Sequence, residues 1–134
     1  MARLLLIDDD AEVRAPIAAW LVRHGHEVEQ AGDGGEGLAK LAQGVFDLVI
    51  TDIIMPEVEG IETIMQIRKD YPLLPVIAIS GGGSREPDLA LHPASRLGAH
   101  ATMRKPFRAA ELAETIELLL SERAGGRGQP GDVA

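Results

Sequence analysis

The chain contains no cysteine among its 134 residues. That excludes disulfides, thiolate zinc sites and a cysteine nucleophile, and it fits a reducing compartment. Aromatic residues make up only 3% of the chain, and Trp20 and Tyr71 are read as core or edge packing. Positive charge is in the minority: 13 Lys and Arg stand against 21 Asp and Glu, a formal net charge of -8. This balance opposes attraction to a polyanion, so direct nucleic-acid binding is not expected. No apolar run is long enough to span a bilayer, and the start, Met1-Ala2-Arg3-Leu4, has one charge before a very short apolar stretch. A soluble cytoplasmic protein without membrane contact is expected. The four histidines, His24, His26, His92 and His100, lack a paired metal spacing and read as surface or helix-end residues.

What is present is a 46% hydrophobic fraction, enough for one compact domain with a core and too little chain for two. Short apolar runs alternate with segments of helical period, the pattern of an α/β fold around a parallel sheet. Leu4-Leu5-Leu6-Ile7, Leu48-Val49-Ile50-Thr51 and Val76-Ile77-Ala78-Ile79 lack polar alternation and predict strands buried on both faces. The segment from Glu27 to Ala31 alternates like a strand nearer the edge, and Ala101 to Arg104 makes a short last strand.

Between these strands, Val13, Ile17, Trp20 and Leu21 share one face of a first helix that Gly25 stops and Pro16 should bend. Asp33 can cap a second helix running to Leu41. A third carries Ile61, Ile64, Met65 and Arg68 and stops before Tyr71-Pro72. Pro87 and Pro93 limit any helix in residues 84–98 to a short piece. The final helix carries Leu112, Ile116, Leu119 and Leu120 on one face, and its pattern ends after Ser121. Residues 122–134, with Gly125-Gly126-Arg127-Gly128, are expected to be a flexible tail or linker stub. No helical pair that could enter a DNA groove follows, so output is expected to pass through a partner protein.

In an open parallel sheet, ligands bind beyond the carboxyl ends of the strands. Those positions hold Asp8, Asp9 and Asp10 after the first strand, Asp52 after the third, Ser80 after the fourth and Lys105 after the fifth. Carboxylates within about 5 Å of one another repel by roughly 3 kcal/mol per pair at an effective dielectric near 20, so such a group calls for a cation. With oxygen ligands only, magnesium is the natural choice, and magnesium suggests phosphate chemistry. A carboxylate can be the nucleophile in phosphoryl transfer when a metal and an ammonium group neutralise the transferred oxygens. Taken singly, Asp8 to Asp10 would be read as caps of the first helix and Lys105 as a solvated side chain. Agreement among four strand ends favours a common site.

The chain resembles the receiver domains of bacterial response regulators over residues 2–120. The resemblance is carried by the acidic pair Asp8-Asp9, by Asp52-Ile53-Ile54-Met55-Pro56 with Gly60, by Ser80-Gly81 and by Lys105-Pro106-Phe107. It implies a single doubly wound, flavodoxin-like domain over residues 1–121: a five-stranded parallel sheet in order 2-1-3-4-5 with five helices. It further implies that Asp52 accepts a phosphoryl group from a sensor histidine kinase or a histidine phosphotransfer domain. Magnesium would be held by Asp9, Asp52 and the backbone carbonyl of Ile54, with Asp8 binding directly or through water. Lys105 would contact the phosphoryl oxygens after a cis bond to Pro106, and Ser80 would be the sensor hydroxyl. Asp10 is given no role.

By the same resemblance, the domain is a stand-alone switch and not an enzyme beyond metal-dependent self-phosphorylation and slow self-dephosphorylation. Ser80 would move toward the phosphorylated Asp52 and pull the Gly81-Gly82-Gly83 loop inward. The signal would reach a downstream protein through the face of the fourth helix, fifth strand and fifth helix, where Thr102 occupies the position of the family's usual aromatic residue. Ile54 and Gly82, at the positions where the family tunes hydrolysis, cannot activate a water, which predicts a long-lived phosphoryl group.

Other classes are weighed beside this one. Gly32-Asp33-Gly34-Gly35-Glu36-Gly37 matches the spacing of a dinucleotide fingerprint, but the strand before it, Glu27-Val28-Glu29-Gln30, is too polar for that motif's central strand. The two-residue spacing of Asp8 and Asp10 fits a haloacid-dehalogenase-like phosphohydrolase, which would leave the Asp52 to Gly60 segment unexplained. A pseudo-receiver that binds partners without phosphorylation is opposed by the complete set of acidic pair, acceptor, hydroxyl and lysine.

Overall fold

The computed structural model describes residues 2–52, 59–80, 99–104 and 107–127. Five strands, β1 (Arg3–Ile7), β2 (Glu27–Ala31), β3 (Leu48–Asp52), β4 (Val76–Ser80) and β5 (Ala101–Arg104), form one sheet. All four pairings are parallel, and the order is β2-β1-β3-β4-β5, as the resemblance implied. Four helices lie among the described residues: α1 (Ala11–Arg23), α2 (Gly34–Gln43), α3 (Glu59–Asp70) and α4 (Ala109–Arg127). The helix expected within residues 84–98 lies outside the described residues.

The apolar strands are buried on both faces because each face has its own helical layer. Leu5, Ile7, Val49, Val76 and Ala78 point one way, into a core with Leu41, Ile64 and Ile67 from α2 and α3. Leu4, Leu6, Leu48, Ile50, Ile77 and Ile79 point the other way, against Ala18, Leu21, Leu112, Ile116 and Leu119 from α1 and α4. The period of two along each strand thus sorts its residues between two cores. β2 is only partly covered, with Glu27 and Gln30 exposed, as its mixed sequence requires at a sheet edge.

The helix ends follow from local chemistry. Asp10 caps α1 by accepting from the Glu12 amide at 3.0 Å. At the other end Gly25 has φ +93°, and the bonds His26 N to Leu21 O and Gly25 N to Val22 O complete a Schellman motif that only a residue tolerant of positive φ closes cheaply. α1 continues across Pro16 as one element. Two details depart from the apolar pattern. On α3 the buried pair is Ile64 and Ile67, while Met65 is half-exposed. α4 runs past Ser121 to Arg127, because an established helix gains a hydrogen bond per added residue whether or not that residue packs. Its apolar stripe meets the core through Leu112, Ile116, Leu119 and Leu120.

Candidate metal centre

The sheet order reverses between β1 and β3, whose neighbours lie on opposite sides, and this switch point is where a doubly wound fold opens a crevice. Register puts the ends level: Ile7 pairs with Thr51, and Asp52 with Ile79. Asp8 and Asp9 follow β1 directly, and Asp52 ends β3. One carboxylate oxygen from each of Asp8, Asp9 and Asp52 lies within 4.8 Å of the others. Asp8 is 3% and Asp52 5% exposed, while Asp9 is exposed. Two carboxylates are therefore largely withdrawn from water and the third faces it.

Burial raises the mutual repulsion of these groups above its value in water, and a bound cation relieves it. The donors are hard oxygens at one open, three-carboxylate corner, which fits a small divalent ion that keeps several of its waters. Asp8 is held from several sides. Its amide donates to Ala31 O at 3.1 Å, its Oδ1 accepts from the Asp10 amide at 2.9 Å, and its carbonyl accepts from Arg14 at 2.5 Å.

The structure brings together three of the residues expected at the site, Asp8, Asp9 and Asp52. Ser80 ends β4 level with Arg104 of β5, which puts its backbone at the same carboxyl edge. Ile54 and Lys105, with Met55, Pro56, Gly81, Gly82, Gly83 and Pro106, lie outside the described residues. Asp10 has a clear place as the α1 cap. Arg14 was not singled out from sequence; the available signal was a basic residue one helical turn after Asp10.

The glycine repeat also has an explanation. Gly37 packs against β1, since a Cβ there would stand 2.5 Å from Ile7 Cδ1. Asp33 Oδ1 accepts from the Glu36 amide, and Glu36 Oε1 accepts from the Gly32 amide, each at 2.7 Å. Two carboxylates thus occupy two amides at the start of α2, those of Glu36 and Gly32.

Fold and site together define a class: a flavodoxin-like α/β domain with an acidic cluster at the carboxyl edge of its sheet. The response regulator receiver domain model matches residues 4–117, and the chain belongs to that family, the receiver modules of two-component systems. Its fold is close to that of a response regulator receiver domain protein from Methanospirillum hungatei, with a TM-score of 0.83 and 33% identity over 93% of this chain and 98% of that one. It is 32% identical to the protein PilH of Pseudomonas aeruginosa over 123 residues, 90% of this chain and 99% of that protein. The transcriptional regulatory protein CpxR homolog of Haemophilus influenzae is 36% identical over 124 residues, which cover 92% of this chain and 52% of the relative. The chain thus spans about half of that regulator and nearly all of PilH. Among the described residues, no helix is long and apolar enough to cross a membrane.

Proposed function

We propose that the chain is a stand-alone cytoplasmic receiver that takes a phosphoryl group onto Asp52 and thereby changes its affinity for a partner protein. The observation that carries this reading is the meeting of the Asp8, Asp9 and Asp52 carboxylates within 4.8 Å at the switch point of the sheet. PilH, matched along nearly its whole length, is a relative of about the size of this chain.

In the proposed reaction an Asp52 carboxylate oxygen attacks the phosphorus of a phosphohistidine donor. A P–O bond forms as the P–N bond breaks, and the departing imidazole takes up a proton. Magnesium, when bound, supplies positive charge to the transferred oxygens. Asp9, Asp52 and the backbone carbonyl of Ile54 would hold it, with Asp8 direct or through water, and Lys105 would neutralise a further phosphoryl oxygen as a point charge. The Ser80 hydroxyl would then donate to the new phosphoryl group and draw the following glycine loop with it. A downstream protein would read the change near β5 and α4, where Thr102 stands in place of a larger switch residue. With Ile54 two residues after Asp52 and Gly82 two after Ser80 in the sequence, the acyl phosphate should decay slowly; loss within seconds would contradict that lifetime.

Incubation with a small-molecule phosphodonor and magnesium tests the reading. The expected product carries one phosphoryl group in a bond that hydroxylamine cleaves, as it does any acyl phosphate. A hydroxylamine-stable adduct would contradict transfer to a carboxylate.

A further inference from the structure

We propose that Arg14 is a positioning residue for the metal centre, a clamp on the Asp8–Asp9 peptide that sets how these two carboxylates present to a cation. The inference rests on the reading of Asp8, Asp9 and Asp52 as the magnesium-holding group, and it adds a residue with no part in that reading.

Arg14 lies one turn into α1, partly buried. Its Nη1 donates to the Asp8 carbonyl at 2.5 Å, and its Nε donates to Gln30 Oε1 on β2 at 3.1 Å. One planar guanidinium therefore ties three elements: the end of β1, the first helix and the edge strand. This use of two donors in a fixed fork is available to arginine and not to lysine.

Asp8 lies just beyond the paired stretch of β1, which ends at Ile7, and it is buried. Leaving a buried carbonyl without a donor costs about 1–3 kcal/mol, so the Arg14 bond strongly favours one orientation of that group. The Asp8 carbonyl and the Asp9 amide belong to one rigid plane. Fixing the carbonyl fixes that plane, and the plane sets the path from the Asp8 side chain, held at Oδ1 by the Asp10 amide, to the Asp9 side chain. Asp9 is exposed, so the peptide beneath it matters to where its carboxylate points. Groups that orient metal ligands without touching the metal commonly change affinity by about 10–100-fold when removed.

The test is calorimetric titration of magnesium into the unphosphorylated full chain, natural and with Arg14→Lys, Arg14→Gln or Gln30→Ala, beside thermal unfolding of each in EDTA. The clamp predicts about tenfold weaker magnesium binding in both Arg14 variants and a smaller weakening in Gln30→Ala, whose exposed site leaves the fold intact. Unchanged affinity in Arg14→Lys and Gln30→Ala, with only the melting temperature lowered, would reduce Arg14 to a structural tie and overturn the proposal. So would tighter binding in Arg14→Gln, the result expected if its charge alone mattered. Absence of magnesium binding by the natural chain would overturn the metal reading itself and the clamp with it.

Discussion

Ile7 and Gly37 meet so closely that a Cβ on Gly37 would stand 2.5 Å from Ile7 Cδ1 and 2.9 Å from Ile7 Cγ1. Ile7 is fully buried and immediately precedes Asp8, so this contact seats α2 directly beneath the acidic cluster. Alanine in a helix gains about 1 kcal/mol over glycine, but overpacking a filled core costs about 1–3 kcal/mol. Gly37→Ala should therefore be destabilising by about 1 kcal/mol in urea unfolding. Ile7→Val, which removes the Cδ1 that clashes, should offset part of this loss in a double-mutant cycle. A Gly37→Ala chain more stable than the natural one would contradict the contact.

This contact also marks where sequence reading reached its limit. The Gly32 to Gly37 repeat has the spacing of a nucleotide motif, and its last glycine serves the helix-to-strand packing that such motifs also need. Spacing alone could not separate packing from ligand binding. β1, β3 and β4 were legible because strands covered on both faces leave no room for polar alternation, and Gly25 and Asp33 announced helix ends through their backbone chemistry. Asp8, Asp9 and Asp52 were found because parallel strands deliver their carboxyl ends to one edge. Arg14 escaped because its partners, Asp8 and Gln30, come from two different strands, a relationship that exists only after folding. The length of α4 escaped because residues 122–127 carry no apolar helical pattern.

Asp10 separates two chemistries that share an aspartyl phosphate. As the cap of α1 it accepts from the Glu12 amide, while its own amide holds Asp8 Oδ1, a backbone bond that alanine retains. Asp10→Ala should lower stability by about 1 kcal/mol and leave phosphoryl acceptance within a few-fold of the natural chain. Abolition of acceptance in a folded Asp10→Ala chain would favour the dehalogenase-like arrangement, in which the second carboxylate is the acid partner.

Acid should weaken the sheet at its opposite end. His100 precedes β5, and its Nδ1 accepts from the Val76 amide at 3.1 Å while its own amide donates to Val76 O at 2.7 Å. Partial burial, assisted by the nearby Arg68 guanidinium and opposed by Glu122, holds its pKa below the ordinary 6.5. The unfolded chain then binds more protons at this site than the folded one, so the stabilisation is complete above the unfolded value and is lost as pH falls through the folded value. Protonation of Nδ1 also removes the acceptor for Val76. Stability in urea should fall as the pH drops through the ordinary histidine range and below it, and His100→Asn, which cannot titrate, should flatten that slope. Equal slopes in the two chains would contradict a role for His100.

The most direct measurement is the intact mass of the natural chain and of Asp52→Asn after incubation with acetyl phosphate and magnesium, each repeated in EDTA. Phosphoryl acceptance at Asp52 predicts a single adduct on the natural chain that EDTA prevents and Asp52→Asn abolishes. An adduct that persists in Asp52→Asn would move the nucleophile to another carboxylate, Asp8 first. No adduct on the natural chain under any of these conditions would contradict the receiver as a phosphorylated switch and leave a protein-binding module of the same fold.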